Sequence, residues 1–309
     1  MKKLQNILIT GANGQLGMCL RDMVQNMQNG NDNGRDAQLC VSTVFFTDIE
    51  ELDITDISAV SAFVHKNKID CIINTAAYTA VDKAETEPDK AFMVNAEGVW
   101  ILSHICMEQH VFLIHISTDY VFDGTATKPY KTSARTNPVS VYGQSKWAGE
   151  RFVMESQIPS AIIRTSWLYS QYGNNFMNTM LRLGKEKATL NVVDDQFGAP
   201  TNAHDLATAI LQIVEQAEKI TKPTVFHYAN EGVTTWCGFA QEIMKIAQLP
   251  CVVQPISTVQ YPTPAARPAY SVFNLSKIKN QFNIQIPSWE ESLQGELSLK
   301  FKVQSSKIQ

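Results

Sequence analysis

The sequence lacks the features of a protein that binds nucleic acid or spans a membrane. Its 309 residues include no block of basic residues, and the formal net charge is -4. A negatively charged chain without a basic stretch is a poor match for a phosphate backbone. The apolar runs stay well short of the ~20 residues that a membrane-spanning helix needs. We therefore expect neither nucleic acid nor a membrane as a partner.

The cysteines and histidines give no sign of a metal or redox site. None of the six cysteines forms Cys-x-x-Cys, and most stand in apolar surroundings. The six histidines show no paired spacing with acids or cysteines, so we interpret His65, His104 and His115 as structural. The sequence predicts buried free thiols in a reducing, cytoplasmic compartment, with no metal-ligating residues.

Short apolar runs alternate with helical patterns over the first half of the chain. Residues 1–10 run directly into a glycine turn, which favours a first strand over a signal peptide. Strands are predicted at Asn6–Thr10, Val41–Phe46, Cys71–Asn74, Val111–Ile116 and Ala161–Thr165. A helix should end near Met27, a surface loop should cover Gln28–Gln38, and further helices should cover Asp56–Lys66, a long segment within Ala84–Glu108, and Val139–Glu155. These βα units predict an α/β fold with a Rossmann-type, doubly wound parallel sheet.

After Trp167 the pattern becomes irregular. Helices are predicted near Phe176–Lys185, Ala203–Ala217, Cys237–Ala247 and Trp289–Phe301, with strands near Leu190–Val193, Val225–Tyr228 and Val252–Gln254. We expect the segment Ala203–Tyr228 to return to the main sheet. The chain is therefore divided into a Rossmann domain, residues 1–167 and 202–230, and a smaller C-terminal part, residues 168–201 and 231–309, which forms the other wall of a cleft.

Three glycines follow the first predicted strand. Gly11, Gly14 and Gly17 form Gly-x-x-Gly-x-x-Gly directly before a helix. Glycines at such a turn let the backbone approach a diphosphate, and the helix N-terminus offers free N–H groups and the positive end of its dipole. A glycine-rich turn without a ligand is the alternative, but the position favours dinucleotide binding.

Polar candidates follow the other strands at the same edge, where ligands bind in sheets of this kind. Asp48 can accept hydrogen bonds from the adenosine ribose, which favours NADH over a 2'-phosphorylated cofactor. The pair Asp53-Ile54 either contacts the adenine or belongs to a helix cap. Small residues after Asn74 suit a close cofactor or tight packing, and Ser117 or Thr118 can hydrogen-bond a substrate carbonyl or remain solvated.

Tyr142 and Lys146 have the spacing that places two side chains on one face of a helix. A lysine ammonium beside a phenol lowers the phenol pKa, so that a tyrosine can exchange a proton near neutral pH. Chance alone supplies about half a Tyr-x-x-x-Lys match in a chain with this composition. The pair therefore gains meaning from its neighbours at the sheet edge.

Together these motifs resemble an extended short-chain dehydrogenase/reductase, and their details resemble the dTDP-4-dehydrorhamnose reductase family. The similarity extends from about Leu4 to Ser298. The motifs that carry it are Gly11–Gly17, Asn74–Tyr78, Ala77–Glu85, Ser117–Gly124, Tyr142–Glu150, Arg164–Tyr169, Asn175-Phe176, Asp195–Thr201 and Ala266–Pro268.

The resemblance implies NADH- or NADPH-dependent reduction of a dTDP-linked 4-keto sugar, the last step of dTDP-L-rhamnose synthesis. Tyr142 would donate the proton to O4, Lys146 would tune Tyr142 and hold the nicotinamide ribose, and Thr118 would hydrogen-bond the reacting oxygen. The implied cofactor contacts are Gly11, Gly14, Gln15, Leu16, Gly17, Asp48, Asp53, Ile54, Ala76, Ala77, Tyr78, Tyr142 and Lys146.

The implied substrate contacts are Thr118, Asp119 and Trp167, where a tryptophan can form a sugar platform or simply be core. Arg267 is predicted to bind the substrate diphosphate, with a solvated loop arginine as the alternative. The resemblance leaves a homodimer open. Some relatives carry glutamates that bind Mg2+ at a dimer interface, but no residue here can be assigned to that role.

Two other functions compete with this reading. One is another nucleotide-sugar reductase, epimerase or dehydratase on the same frame; a dehydratase needs extra acidic groups, and Asp119 is followed by Tyr120, not by a glutamate. The other is a non-catalytic regulatory subunit like that of methionine adenosyltransferase, which resembles the same family. The intact set of Thr118, Tyr142 and Lys146 argues against it.

Overall fold

The structure is a computed structural model that describes residues 4–28 and 43–306. Most of the loop predicted at Gln28–Gln38, the start of the predicted second strand and Cys40 lie outside the described residues. The strands are β1 (Asn6–Thr10), β2 (Thr43–Thr47), β3 (Cys71–Asn74), β4 (Phe112–Thr118), β5 (Ser160–Thr165), β6 (Leu168–Tyr169), β7 (Thr189–Val193), β8 (Phe197–Gly198), β9 (Thr201–Asn202), β10 (Thr224–His227), β11 (Thr234–Thr235) and β12 (Val252–Ile256).

The helices follow most of the sequence pattern. They are α1 (Gln15–Gln28), α2 (Ile57–Lys66), α3 (Val81–Ala84), α4 (Pro88–Phe92), α5 (Gly98–Gln109), α6 (Val141–Glu155), α7 (Phe176–Glu186), α8 (Ala203–Glu215), α9 (Trp236–Ile246), α10 (Ser276–Phe282) and α11 (Trp289–Ser306). Asp56 caps α2 by accepting a hydrogen bond from the Ala59 amide. Among the described residues, no helix combines the length and apolar character that a bilayer crossing requires.

Six parallel strands form the central sheet, in the order β10-β5-β4-β3-β1-β2. Helices cover both faces of the sheet, and successive side chains of a strand point to opposite faces, so each strand contributes to two apolar clusters. In β1, Ile7 and Ile9 pack toward α1 and α8, whereas Leu8 packs toward α2 and α5. This is the doubly wound Rossmann arrangement that the alternating pattern predicts. The strand β10 returns late in the chain and pairs with β5.

The long helix predicted within Ala84–Glu108 is wrong in one respect. The segment from Pro88 to Gln109 is interrupted by a π-helical turn at Met93–Glu97. Asn95 lies in this turn, is fully buried, and hydrogen-bonds the backbone of Tyr78. Such a polar demand inside an apolar run leaves no trace in the helical periodicity, so the pattern predicted a regular helix.

The C-terminal part has small sheets and its own apolar core. The strands pair two by two, β7 with β12, β8 with β11, and β6 with β9. A separate cluster of buried side chains includes Met177, Phe239, Ile243 and Leu293. The helix α10, which the sequence pattern missed, packs Ile278 into the main core. The boundaries proposed between the two parts stay a prediction.

The described cysteines are free and buried, as the composition predicts; they are Cys19, Cys71, Cys106, Cys237 and Cys251. Cys19 lies in α1 and contacts His204 of α8, and His204 also contacts Asp22 and Glu296. Burial lowers the pKa of His204, but its contacts with Cys19 and Glu296 outweigh that and raise it to about 11. The cluster joins α1, α8 and α11.

Candidate active site

A cavity of about 850 Å³ opens at the carboxyl edge of the parallel sheet. Most of the residues predicted to act lie in its wall: Gly11, Gly14, Gln15, Leu16, Asp48, Asp53, Ile54, Ala76, Ala77, Tyr78, Thr118, Asp119, Tyr142, Lys146 and Trp167. Gly17 lies buried beneath the turn, and Arg267 pairs with Asp82. The structure therefore brings the predicted residues together, while their individual roles stay predictions.

The glycine turn is packed too closely for larger residues. Gly11 has φ +66°, and a Cβ there would lie 2.5 Å from the Ala76 amide nitrogen. A Cβ on Gly17 would lie 2.5 Å from the Gly11 carbonyl oxygen. This packing leaves a shallow cradle at the N-terminus of α1, where the first amides have no partner within the helix. The cradle fits a dinucleotide diphosphate.

The loop after β2 is bonded to the glycine turn. The Asp48 carboxylate accepts hydrogen bonds from the Asn13 amide, at 2.8 Å, and from the Ile49 amide, at 2.8 Å. Its remaining lone pairs face the cavity that it lines and suit a ribose diol. Asp53 also lines the cavity, but its Oδ1 accepts from the Thr55 amide and hydroxyl, both at 2.8 Å. Asp53 thus has a local turn role whatever it contacts in addition.

Asn95 is a site residue that the sequence reasoning missed. Its Oδ1 accepts from the Tyr78 amide at 2.9 Å, and its Nδ2 donates to the Tyr78 carbonyl at 3.0 Å. The same Nδ2 donates to Ser145 Oγ, and Ser145 Oγ donates to the Tyr142 carbonyl. Asn95 therefore links Tyr78, in the wall of the cavity, to the helix that carries Tyr142. A lone polar residue in the run Phe92–Ala96 was the available signal.

Tyr142 lies in the first turn of α6. Ser140 caps this helix by accepting from the Gly143 amide at 3.1 Å. The spacing of Tyr142 and Lys146 predicted a lowered phenol pKa, and that prediction is wrong. Burial raises the pKa of Tyr142 to about 12, the Asp119 carboxylate adds to the rise, and a hydrogen bond with Thr118 opposes it. The phenol therefore keeps its proton at neutral pH.

Lys146 is buried and points along α6 toward β4. Its ammonium donates to the Ile116 carbonyl at 2.7 Å, and it is not among the groups that shift the pKa of Tyr142. Burial lowers the pKa of Lys146 to about 8, and the charge of Glu150 opposes that shift. Below that pH the side chain carries its positive charge beside the cavity.

Glu150 forms a buried ion pair under this site. Its two oxygens accept from Arg164 at 2.8 and 2.6 Å, and Oε1 also accepts from the Ser117 hydroxyl at 2.5 Å. Because Arg164 lies on β5 and Ser117 on β4, the pair fixes α6 against both strands. Sequence reasoning did not single out Glu150 or Arg164 as partners.

Thr118 and Asp119 end β4 at the cavity. Thr118 Oγ1 donates to Asp119 Oδ1 at 3.0 Å and accepts from the Tyr120 amide. Burial raises the pKa of Asp119 to about 6, while side-chain hydrogen bonds with Thr118 and Ser271 oppose the rise. Asp119 is therefore an acid that titrates close to neutral pH at the edge of the site.

Trp167 and Arg267 represent the C-terminal wall. Trp167 lines the cavity with a left-handed backbone, φ +49°, and its ring stacks on Trp236 with centroids 3.7 Å apart. Arg267 donates two hydrogen bonds to Asp82, at 3.0 and 2.8 Å, so it is not the solvated loop arginine of the alternative reading. Its predicted contact with a substrate diphosphate stays a prediction.

The residues that the structure describes include no metal-binding cluster. Within residues 4–28 and 43–306, no group of three or more His, Cys, Asp or Glu side chains is arranged to hold a metal ion. No residue is therefore assigned to Mg2+.

Comparisons with known proteins agree with this geometry. The model of the family described as the RmlD substrate binding domain matches residues 5–299. A dTDP-4-dehydrorhamnose reductase from Aggregatibacter actinomycetemcomitans is 40% identical over 300 residues, covering 94% of this chain and 98% of the relative. A second from Sinorhizobium fredii is 38% identical, covering 93% of this chain and 94% of that protein. A dTDP-4-dehydrorhamnose reductase structure from Bacillus anthracis, in complex with NADP, has a TM-score of 0.86 at 38% identity, over 96% of this chain and 99% of that one.

A Rossmann-type sheet whose edge carries the threonine, tyrosine and lysine described above defines a short-chain dehydrogenase/reductase. The family match, together with these relatives, makes the assignment narrower. The chain belongs to the RmlD substrate binding domain family.

Proposed function

We propose that this protein is an NAD(P)H-dependent dTDP-4-dehydrorhamnose reductase, which converts dTDP-4-dehydro-L-rhamnose to dTDP-L-rhamnose. The observation that carries the proposal is the meeting of Thr118, Tyr142 and Lys146 in one cavity with the glycine turn. Relatives of that name align with nearly the whole chain, which supports the same activity.

The residues present fit a nicotinamide dinucleotide. The α1 cradle suits the diphosphate, Asp48 suits the adenosine ribose, and Ala76 and Ala77 leave room for the body of the cofactor because their side chains are small. When bound, the dinucleotide supplies a hydride to C4 of the sugar. Lys146 lines the same cavity and would hold the nicotinamide ribose by hydrogen bonds from its ammonium.

Tyr142 serves as the proton donor in this proposal. As C4 gains hydride, O4 becomes an alkoxide, and the Tyr142 hydroxyl transfers its proton to O4. The O–H bond of the phenol breaks and an O–H bond on the sugar forms. Tyr142 starts the reaction protonated at neutral pH, because its pKa lies far above 7, and the alkoxide on O4 is a strong enough base to take its proton. Solvent then returns a proton to the phenolate that remains.

Thr118 and the C-terminal wall orient the sugar nucleotide. The Thr118 hydroxyl is proposed to exchange its bond to Asp119 for a bond to the developing O4 charge, which is the role of an oxyanion partner. Asp119 and Trp167 line the cavity beside it and are proposed to contact the sugar. Arg267 is proposed to bind the diphosphate by exchanging its bonds to Asp82 for bonds to phosphate oxygens, since both anions suit its bidentate fork.

The rival functions have less support. A dehydratase needs a further acid next to Asp119, and the following residue, Tyr120, instead packs edge-on against Tyr142 at 5.5 Å. A non-catalytic subunit would not require Asn95, Ser145 and Glu150 to hold the tyrosine and lysine in place. We also propose that the protein is cytoplasmic and acts as a homodimer; light scattering at micromolar concentration tests the latter.

The decisive experiment is a turnover assay. The protein is mixed with dTDP-4-dehydro-L-rhamnose and either NADH or NADPH, the loss of dihydronicotinamide absorbance is followed, and the sugar product is identified by mass and NMR. We expect oxidation of the cofactor in step with formation of dTDP-L-rhamnose. No oxidation by the wild-type protein contradicts the proposal. Oxidation with a 4-epimeric product would support a different reductase of the same frame.

A further inference from the structure

The Trp167 ring is confined by two neighbours. Trp236 stacks on it with centroids 3.7 Å apart and planes 11° from parallel. Gly198 lies against the ring so closely that a Cβ there would be 2.6 Å from Cε2 and 2.7 Å from Cζ2 of Trp167. A stacked face and an adjacent glycine together leave the indole little freedom to change its rotamer.

Both neighbours come from one small piece of sheet. Gly198 in β8 pairs with Thr234 in β11, and Trp236 follows β11 at the start of α9. Thr235 caps α9 by accepting from the Gly238 amide at 3.0 Å. Backbone pairing therefore fixes Trp236 and Gly198 relative to each other independently of their contacts with Trp167.

Trp236 is anchored from behind by the core of the C-terminal part. Its ring lies 4.7 Å from Phe176, and Phe176 stacks on Phe239 at 5.6 Å. Phe239 is fully buried. Trp167 lines the cavity, whereas Trp236 lies behind Trp167 and supports its ring. Trp236 is in turn packed against Phe176.

The backbone of Trp167 also needs support. A tryptophan with φ +49° is strained, and such a conformation persists where its surroundings hold it. The Trp167 carbonyl accepts from the Thr201 amide at 3.1 Å. The stack with Trp236 is a second restraint, and it acts on the side chain that faces the cavity.

The same wall reaches the reacting edge of the site. The Ser271 amide donates to the Phe197 carbonyl at 2.8 Å, next to Gly198, and the Ser271 side chain hydrogen-bonds Asp119. Asp119 in turn accepts from Thr118. The position of the Trp167 ring is thus set within one connected group that ends beside Tyr142.

We propose that Trp236 is a positioning residue for the sugar nucleotide: it fixes the Trp167 indole so that the sugar is held with O4 toward Tyr142. This inference rests on the proposed function, since it assumes that Trp167 meets the sugar. Trp236 acts through Trp167, and its proposed role does not involve the dinucleotide. Loss of the Trp236 ring should therefore weaken binding of the sugar nucleotide and leave binding of the dinucleotide unchanged.

The test compares Trp236→Leu with Trp236→Phe and with Trp289→Leu. Trp289 belongs to the same apolar cluster and packs edge-on against Phe239 at 5.8 Å, so it controls for loss of an indole from this core. For each folded variant, KM and kcat are measured with dTDP-4-dehydro-L-rhamnose and with NADH, and the Kd of dTDP-L-rhamnose is measured by calorimetry. Circular dichroism reports the exciton couplet expected of two stacked indoles.

Trp236→Leu should abolish the couplet and raise both the KM of the sugar nucleotide and the Kd of dTDP-L-rhamnose about tenfold, with the KM of NADH unchanged. Trp236→Phe should keep most of the affinity, because a ring still covers Trp167. Trp289→Leu should keep both couplet and affinity, even with a lower melting temperature. Equal KM values for wild type and a folded Trp236→Leu would overturn the inference.

A second variant perturbs the ring from another neighbour. Gly198→Ala places a methyl group against Trp167 and should raise the sugar-nucleotide KM while Trp236 stays intact. Gly295→Ala is its control, because a Cβ there meets nothing within 4 Å. If wild type neither reduces dTDP-4-dehydro-L-rhamnose nor binds dTDP-L-rhamnose, the proposed function fails and takes this inference with it. If wild type is active but Gly198→Ala and Trp236→Leu leave the KM unchanged, the inference alone fails.

Discussion

The two walls of the cavity are built by different kinds of contact. On the sheet side, strand register and short helix caps place Thr118, Tyr142 and Lys146, and a buried ion pair locks α6 to β4 and β5. On the C-terminal side, two-residue strands, stacked rings and one ion pair join segments far apart in the chain. The contacts of the sheet side position the reacting groups. The contacts of the C-terminal side position the surface against which a substrate can lie. Damage to the two walls should therefore have different kinetic signatures.

Removing the proton donor is the sharpest test of the sheet-side wall. Tyr142→Phe should lower kcat at least ~100-fold, because the variant lacks the proposed proton donor and a positioned general acid contributes at least that much. Binding of NADH, followed by fluorescence titration, should be unchanged. Tyr130→Phe, which removes a hydroxyl bonded to Asp123 outside the cavity wall, should retain turnover. Near-normal turnover of Tyr142→Phe would remove Tyr142 from the role.

Breaking the buried ion pair should damage the frame of the same wall. Glu150→Gln leaves Arg164 with an unpaired buried charge and should lower the free energy of unfolding by about 3 kcal/mol in urea denaturation. Glu155→Gln on the same helix removes an exposed pair with Arg151 and should cost under about 0.5 kcal/mol. Equal losses for the two variants would show that burial of the pair does not matter.

Asp119 lies where the two walls meet, and its titration separates them by pH. Its folded pKa of about 6 exceeds the usual value of 3.8, so the native state binds this proton more tightly than the unfolded chain does. The free energy of unfolding should therefore fall as the pH rises from about 4 to about 6, by on the order of 2 kcal/mol from this group. Asp119→Asn should remove that pH dependence, measured by denaturation at several pH values. An unchanged profile in the variant would contradict the assignment.

Cofactor preference should give the smallest effect. Asp48→Ala removes a carboxylate that suits a ribose diol. The affinity for NADH should therefore fall about tenfold, and the affinity for NADPH should fall less. Both cofactors lose something, because Asp48 also holds the Asn13 amide. Glu50→Ala, an exposed neighbour, serves as the control. Equal weakening of the two cofactors would reject the ribose contact.

The sheet-side wall was largely predictable from sequence, because its information is local. Apolar runs predicted β1 and β3 with the bounds that the structure has, and the glycine turn, Tyr142 and Lys146 follow from spacing along the chain. The contacts that were missed join distant residues. Asn95 with Tyr78, Arg267 with Asp82, and Trp236 with Trp167 depend on side chains that meet only after folding, and no periodicity encodes them.

The lowered phenol pKa was the other failure, and its cause is also spatial. Spacing placed Lys146 near Tyr142, but it could not show that the ammonium would donate to the Ile116 carbonyl. Nor could it show that burial would be the main influence on the pKa of Tyr142. A motif thus identifies which groups take part, whereas the protonation state depends on the depth at which the fold places them.

The π-helical turn at Met93–Glu97 has a geometric consequence for how one helix serves two purposes. Such a turn contains one residue more than an α-helical turn, so it shifts which sequence positions face the core in the turns that follow. Val99 and Leu102 therefore face the apolar core while Asn95 is directed toward Tyr78. A regular helix over the same span could satisfy only one of those two alignments. The extra residue works as a phase shift that lets a core helix deliver a polar group to the site.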